Sequence, residues 1–208
     1  MPLKYPGDET ALVPEEFKSI LPLIKRLFGY EKNISNNWKE FAAHITIDHR
    51  IVEPNSTQRF PGFHGDDLQG GIFQPKLITA HSYIITSNPT TEVCLQPFFV
   101  AHLRDTFEKV FDAFDQQARL EDVGDILPDH VDLVDPPTVH RSPVLEEEAD
   151  RVFLRITFSP KEMLLPHNTV NPLFNDRPYP GDDAIHLDES WFLVTPDRDI
   201  PYRFYGIA

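Results

Sequence analysis

The sequence predicts a mainly β protein with flanking helices, of the α+β class. Several segments between residues 41 and 99, and between 130 and 158, are rich in apolar and β-branched residues, as strands are. Two other segments, at 14–30 and 102–120, carry their apolar residues at helical spacing. Together, these patterns place a β-rich core between helical parts of the chain.

The length of the chain predicts one domain. A chain of 208 residues can bury a substantial core without disulfides or a structural metal. We expect a single domain over 1–208, with a helical N-terminal part at 1–40 and a β core at about 41–160. Many Pro, Asp and Asn residues after Pro160 predict an irregular C-terminal cover at 161–208.

The two helical segments differ in regularity. Segment 14–30 has acids at its start and bases near its end, which suits the helix dipole, but Pro22 interrupts it. A helix that is kinked or split near Pro22 is therefore predicted. Segment 102–120 is the clearest helix, because one face carries five apolar residues, namely Leu103, Phe107, Val110, Phe111 and Phe114.

The predicted strands begin with FAAHITIDHRIV at 41–52. Segments 78–87 and 91–99 also have strand composition, and the turn-like Asn88–Pro89 lies between them, so they are predicted to form a hairpin.

Two β segments follow the second helix, HVDLV at 130–134 and the strictly alternating RVFLRITF at 151–158. Successive side chains of a strand point to opposite faces. Arg151 and Arg155 therefore project to one side of the same strand, with Phe153 between them.

Composition excludes several classes of protein. The formal charge of -14 would repel a polyphosphate backbone, so duplex nucleic acid is an unlikely partner. Cys94 is the only cysteine, which excludes an intramolecular disulfide and predicts a reducing, cytoplasmic location. No apolar run approaches the roughly 20 residues of a membrane span, so no membrane association is expected.

Three His-x-Asp tripeptides are candidate metal-binding motifs. In an extended backbone, residues i and i+2 lie on one face, so both side chains can reach a single ion. A second His then completes a two-His, one-carboxylate set, which leaves three adjacent positions open and is typical of non-haem Fe(II) oxygenases. The tripeptides are His64-Gly65-Asp66, His130-Val131-Asp132 and His186-Leu187-Asp188. Only the first leaves room for several strands, another His and then an Arg.

Four segments resemble the Fe(II)- and 2-oxoglutarate-dependent oxygenases. FPGFHGDDL at 60–68 resembles the iron-binding segment of that family, and DPPTVHRSP at 135–143 resembles its distal-histidine strand. YIITSNPTTEVCLQPF at 83–98 and DRVFLRITFS at 150–159 are similar to two further strands. The resemblance covers about half of the chain. It implies a double-stranded β-helix (jelly-roll or cupin-like) core in which His64, Asp66 and His140 bind Fe(II).

The family also places an Arg after the distal histidine, where it binds the distal carboxylate of 2-oxoglutarate. Arg151 and Arg155 lie 11 and 15 residues after His140, and both offsets occur in the family, so both are candidates. A planar guanidinium suits this role because it pairs bidentately with a carboxylate and stays charged. Tyr83 and Thr91 are further candidates for hydrogen bonds to the cosubstrate.

The resemblance implies a hydroxylase that uses Fe(II), 2-oxoglutarate and O2 on a small molecule, such as an amino acid or another carboxylate. Two alternatives stay open: a catalytically inactive β-helix that serves as a binding module, and a cupin-like metalloenzyme that does not use 2-oxoglutarate. The latter would be expected to have additional His ligands. The substrate, the oligomeric state and whether the loop at 67–77 acts as a lid are left open.

Overall fold

A computed structural model describes residues 1–36, 38–66, 80–99, 107–135, 138–159, 169–174 and 203–204. The described helices are α1 (Leu21–Ile34) and α2 (Phe107–Gln117), with short 3₁₀ turns at Glu15–Ile20, Trp38–Glu40, Leu120–Asp122 and Pro172–Phe174. The described strands are β1 (Pro2–Lys4), β2 (Ala42–Val52), β3 (His81–Thr86), β4 (Glu92–Cys94), β5 (Phe98–Phe99), β6 (Val123–Asp125), β7 (Asp132–Val134), β8 (His140–Arg141), β9 (Ala149–Ser159) and β10 (Arg203–Phe204). The α+β class is confirmed. The predicted loop at 67–77 and most of the predicted C-terminal cover lie outside these residues.

The N-terminal helix is split, as predicted, next to Pro22. A 3₁₀ turn ends at Ile20, and α1 begins at Leu21 with the proline in its first turn. Proline is tolerated there because its missing N–H would have no partner within the helix. No described helix has the length and apolar character needed to cross a membrane.

The described strands form three sheets, in which the pairs β1–β2, β3–β7, β4–β6, β4–β8 and β5–β10 are antiparallel. The largest sheet has the order β1-β2-β9-β3-β7, a second has the order β6-β4-β8, and β5 pairs with β10. Within the second sheet, Val93 lies opposite Gly124 on one side and His140 on the other. The middle strand, β4, therefore pairs directly with β8, the strand that carries His140.

The predicted hairpin around Asn88–Pro89 is wrong. The turn exists, but β3 pairs with β7, whereas β4 pairs with β6 and β8 in another sheet. Turn residues determine where the chain changes direction, but they do not determine which strands share hydrogen bonds.

The chain divides into two compact units, and β2 and β9 run through both of them. One unit comprises Met1–Thr46 and Ile156–Leu187; there, β1 pairs with β2, and the Phe28 ring packs edge-on against Phe158.

The other unit comprises Ile47–Arg155 and Asp188–Ala208, and it contains every candidate site residue. The predicted apolar face of α2 is confirmed at Val110 and Phe114, which are buried in one cluster with Phe63 and Val139. Phe63 and Val139 immediately precede His64 and His140, so the buried cluster holds the backbone in place next to both histidines.

Candidate metal centre

The backbone brings His64 and His140 side by side. Each residue donates its N–H to the carbonyl oxygen of the other at 2.9 Å, in an isolated antiparallel bridge. Directly opposed residues of an antiparallel pair project to the same face. The two imidazole rings accordingly lie with their centroids 4.5 Å apart.

Hydrogen bonds also determine which ring nitrogens are available. The Nδ1 atom of His64 is 2.8 Å from the carbonyl oxygen of Gly62, and that of His140 is 2.9 Å from the carbonyl oxygen of Thr138. A carbonyl can only accept, so each Nδ1 carries a hydrogen, and in the neutral form of either ring Nε2 has the lone pair. Metal-binding histidines usually have a partner of this kind, which orients the ring.

The third member is Asp66, two residues after His64. One potential ligand atom from each of His64, Asp66 and His140 lies within 4.8 Å of the others. Nε2 of His140 and Oδ1 of Asp66 are 4.0 Å apart, whereas adjacent donors of an ion with bonds of about 2 Å lie about 3 Å apart, so a small closing movement of these side chains would bring both onto one ion. The donor set of two imidazole nitrogens and one carboxylate oxygen therefore fits a divalent metal.

No other cluster of three potential metal ligands occurs in the part of the chain that the structure describes. His130, from the second His-x-Asp tripeptide, is exposed, and its Nδ1 faces the carbonyl oxygen of Pro128. His186, from the third, lies outside the described residues.

The electrostatic environment favours a neutral His64 ring and an ionised Asp66 carboxylate, the forms that bind a cation. Burial, together with the neighbouring His140, lowers the pKa of His64 to about 4, so its ring is neutral at pH 7. Burial alone would raise the pKa of Asp66, but the Arg155 guanidinium and the two imidazoles lower it below the usual range. Asp66 is therefore an ionised carboxylate.

Arg155 forms a hydrogen-bonded ion pair with Asp66. Its Nη1 donates to Oδ2 of Asp66 at 2.9 Å, and both side chains are largely buried. The bond uses one carboxylate oxygen and leaves Oδ1 on the side of His140.

Arg151 has a different environment. It is 1% exposed; its Nε donates to the carbonyl oxygen of Pro89 at 2.6 Å, and its Nη1 donates to Gln58 Oε1 and Ser142 Oγ. Its Nη2 is buried and has no hydrogen-bond partner among the described residues. Burial lowers the pKa of Arg151 to about 10, which keeps it charged at neutral pH. A buried cation with a free donor is costly unless an anion completes it.

Sequence patterns did not reveal the residues that position the segment carrying His64. Oδ1 of Asp115, on α2, accepts a hydrogen bond from the Phe63 N–H at 2.8 Å. A Cβ atom on Gly62 would lie only 2.6 Å from Oδ2 of Asp115, so any larger residue there would displace this carboxylate. The rings of Phe60 and Phe111 pack edge-on against His64. In the sequence, Asp115 is one of several polar residues of α2, and no pattern indicated that it accepts a hydrogen bond from Phe63.

Tyr83 and Thr91 are both buried, in β3 and immediately before β4 respectively. Their predicted contribution to cosubstrate binding stays a prediction.

Comparison of the chain with protein-family models, with curated proteins and with solved structures gives no match. A function is therefore inferred from the residues of the site.

Proposed function

We propose that this chain is a non-haem Fe(II)- and 2-oxoglutarate-dependent oxygenase that hydroxylates a small molecule. The observation that carries the proposal is the convergence of His64, Asp66 and His140, with two Nε2 atoms and one carboxylate oxygen facing each other. Two imidazoles and one carboxylate form the donor set that leaves room for a cosubstrate and O2 at a non-haem iron.

The order in which the strands pair supports a double-stranded β-helix core as part of this proposal. Along the chain, β2 neighbours β9, His64 bridges to β8, β3 pairs with β7, and β4 pairs with β6. Early strands thus pair with late ones in nested order, as in one long antiparallel hairpin. A hairpin of this kind, rolled into two sheets, is a jelly roll.

The absence of a carboxylate partner for Arg151 among the described residues supports its assignment as the anchor for 2-oxoglutarate. Each guanidinium has one buried nitrogen without a hydrogen-bond partner among the described residues, Nε of Arg155 and Nη2 of Arg151. Arg155 already pairs with the carboxylate of Asp66, whereas no described carboxylate lies within ion-pair distance of Arg151, so its Nη2 is open to an anion. A carboxylate accepting from this nitrogen would neutralise the buried cation. We therefore assign the distal carboxylate of the cosubstrate to Arg151.

Each protein group then has a definable task. His64, Asp66 and His140 hold the ion, Arg151 orients the cosubstrate, and the aromatic rings around His64 exclude water. Bound Fe(II) would supply activation of O2, which is the oxidant, and 2-oxoglutarate, oxidised to succinate and CO2, would supply two of the electrons needed for hydroxylation of a C–H bond. A small-molecule substrate, an intracellular location and the absence of duplex nucleic acid as a partner remain predictions.

The test is an anaerobic titration with Fe(II) and 2-oxoglutarate. We expect a weak visible charge-transfer band, followed by succinate formation once O2 is admitted. His140→Ala should abolish both signals, and Arg151→Gln should weaken 2-oxoglutarate binding by about 10- to 100-fold, since a charge-assisted hydrogen bond is lost. His130→Ala, which removes an exposed histidine of another His-x-Asp tripeptide, should change neither.

The outcomes separate the alternatives. Wild-type protein that shows no band and no succinate above background contradicts the proposal. Metal binding without any effect of 2-oxoglutarate would favour a cupin-like metalloenzyme, and absence of metal binding would favour a binding module.

A further inference from the structure

Arg59, five residues before His64, has guanidinium N–H groups without a hydrogen-bond acceptor among the described residues. The only carboxylate within ion-pair distance among the described residues is that of Asp48, whose Oδ2 is 3.9 Å from Nη1, too long for a hydrogen bond. Both oxygens of Asp48 already accept from Arg50, at 2.7 and 2.6 Å. The described part of the chain offers no side-chain hydrogen bond to Arg59, whose side chain is 35% exposed.

The position of Arg59 links it to the candidate centre. Its guanidinium carbon lies 4.9 Å from the centroid of the Phe153 ring. Phe153 is on β9 between Arg151 and Arg155, and strand alternation places all three side chains on one face. Burial and then the charge of Arg155 lower the pKa of Arg59, which agrees with close approach of the two cations.

Three guanidiniums therefore share one small region of a protein whose formal charge is -14. Asp66 is the partner of Arg155, and Asp48 is the partner of Arg50. Adding a divalent metal at Asp66 would increase the local positive charge further. This excess of positive charge favours an anionic ligand beyond the cosubstrate.

We propose that Arg59 binds a carboxylate group of the substrate, which rests on the proposed function and narrows its substrate class to carboxylic acids. The Phe153 ring packs against one side of the planar guanidinium, and the N–H groups of Arg59 are available to donate to both oxygens of a carboxylate. The Phe60 ring, 49% exposed and packed on His64, provides an apolar surface at the candidate centre.

The experiment compares acids with their amides, which match them in shape but carry no charge. Phenylacetate and phenylacetamide, and hexanoate and hexanamide, are titrated calorimetrically into protein loaded with Mn(II) and 2-oxoglutarate, and into metal-free protein. Mn(II) replaces Fe(II) so that no turnover occurs. The variants are Arg59→Gln, Arg59→Lys and, as a matched control, Arg119→Gln, which removes an exposed arginine that pairs with Asp122.

We expect the wild type to bind each acid at least about tenfold more tightly than its amide. Arg59→Gln should remove this preference, Arg59→Lys should retain part of it, and Arg119→Gln should leave it unchanged. Equal binding of acid and amide by the wild type overturns the proposal, as does a preference that survives in Arg59→Gln. An equal loss of 2-oxoglutarate affinity in Arg59→Gln also overturns it, since Arg59 would then act on the cosubstrate.

Separate titrations with Mn(II) and with 2-oxoglutarate distinguish this inference from the proposed function. Protein that binds neither of them contradicts the proposed function. In that case, the acid and amide titrations of metal-free protein still decide whether Arg59 is a carboxylate site. Unfolding midpoints of all variants identify any loss that comes from misfolding.

Discussion

At the scale of single residues, the hydrogen bond between Arg155 and Asp66 has two opposing effects on a metal. The guanidinium repels an incoming cation, but it also holds Oδ2 and keeps Oδ1 turned toward His140. The orientation should dominate, because the groups that hold metal ligands typically change the affinity by 10- to 100-fold when they are removed.

Arg155→Met is therefore expected to weaken Mn(II) binding by about 10- to 100-fold, and Arg155→Lys by less. Calorimetry or the electron paramagnetic resonance signal of free Mn(II) measures the affinity, and Arg119→Met serves as the control. Tighter binding by Arg155→Met would mean that charge repulsion outweighs orientation, contrary to this expectation.

His44 on β2 allows a prediction for pH dependence. It is buried, neither ring nitrogen has a hydrogen-bond partner in the described part of the chain, and burial lowers its pKa to about 4. Between that value and about 6.5, the unfolded chain binds a proton that the folded chain does not. The free energy of unfolding should therefore fall as the pH decreases through this window.

The measurement is denaturant unfolding of metal-free protein at pH 7 and pH 5. His64 contributes a loss of the same sign, so the His44→Leu variant isolates the part that belongs to His44. We expect this variant to lose about 1–2 kcal/mol less than the wild type between the two pH values. Equal losses in both proteins would show that His44 is not the source.

At the scale of elements, α2 and the segment before His64 act as one unit. Asp115 accepts the Phe63 N–H, and the same carboxylate fills the space beside Gly62. His64 in turn contacts the carbonyl oxygen of Gly62 through Nδ1. A change at the helix can therefore reach the metal ligand through two hydrogen bonds.

Gly62→Ala should displace the Asp115 carboxylate and break its bond to Phe63. Loss of this bond costs about 1 kcal/mol of folding stability and should also weaken Mn(II) binding. Asp115→Ala should have a similar effect, whereas Asp115→Asn, which keeps an acceptor oxygen, should be milder. Chemical unfolding and Mn(II) titration of the three variants test the link; full metal affinity in Gly62→Ala would refute it.

At the scale of the whole molecule, metal binding is expected to stabilise the fold. The ligands come from two segments that lie more than 70 residues apart and meet only in the folded chain. Ligands that bind only the native state add RT ln(1 + [L]/Kd), or about 2.7 kcal/mol at a concentration of 100 times Kd.

The unfolding midpoint should therefore rise with Mn(II) concentration in the wild type. His64→Ala, which lacks one ligand, should show little or no rise, and His130→Ala should behave as the wild type. A rise that is equal in His64→Ala and in the wild type would place the ion elsewhere.

Sequence patterns predicted the α+β class, the strand at 41–52, the split at Pro22 and the apolar face of α2, because periodicity and proline geometry act over a few neighbouring residues. They also predicted that His64 and Asp66, which are two residues apart, can direct both side chains at one ion. The family resemblance predicted that His140 joins His64 and Asp66, and the structure brings these three side chains together. Only the tertiary structure decided that β3 and β4 belong to different sheets, that His64 and His140 oppose each other in an antiparallel bridge, and that Arg155 rather than Arg151 contacts Asp66. These relations depend on which distant strands exchange hydrogen bonds and on which face each side chain meets, and no local pattern encodes either choice.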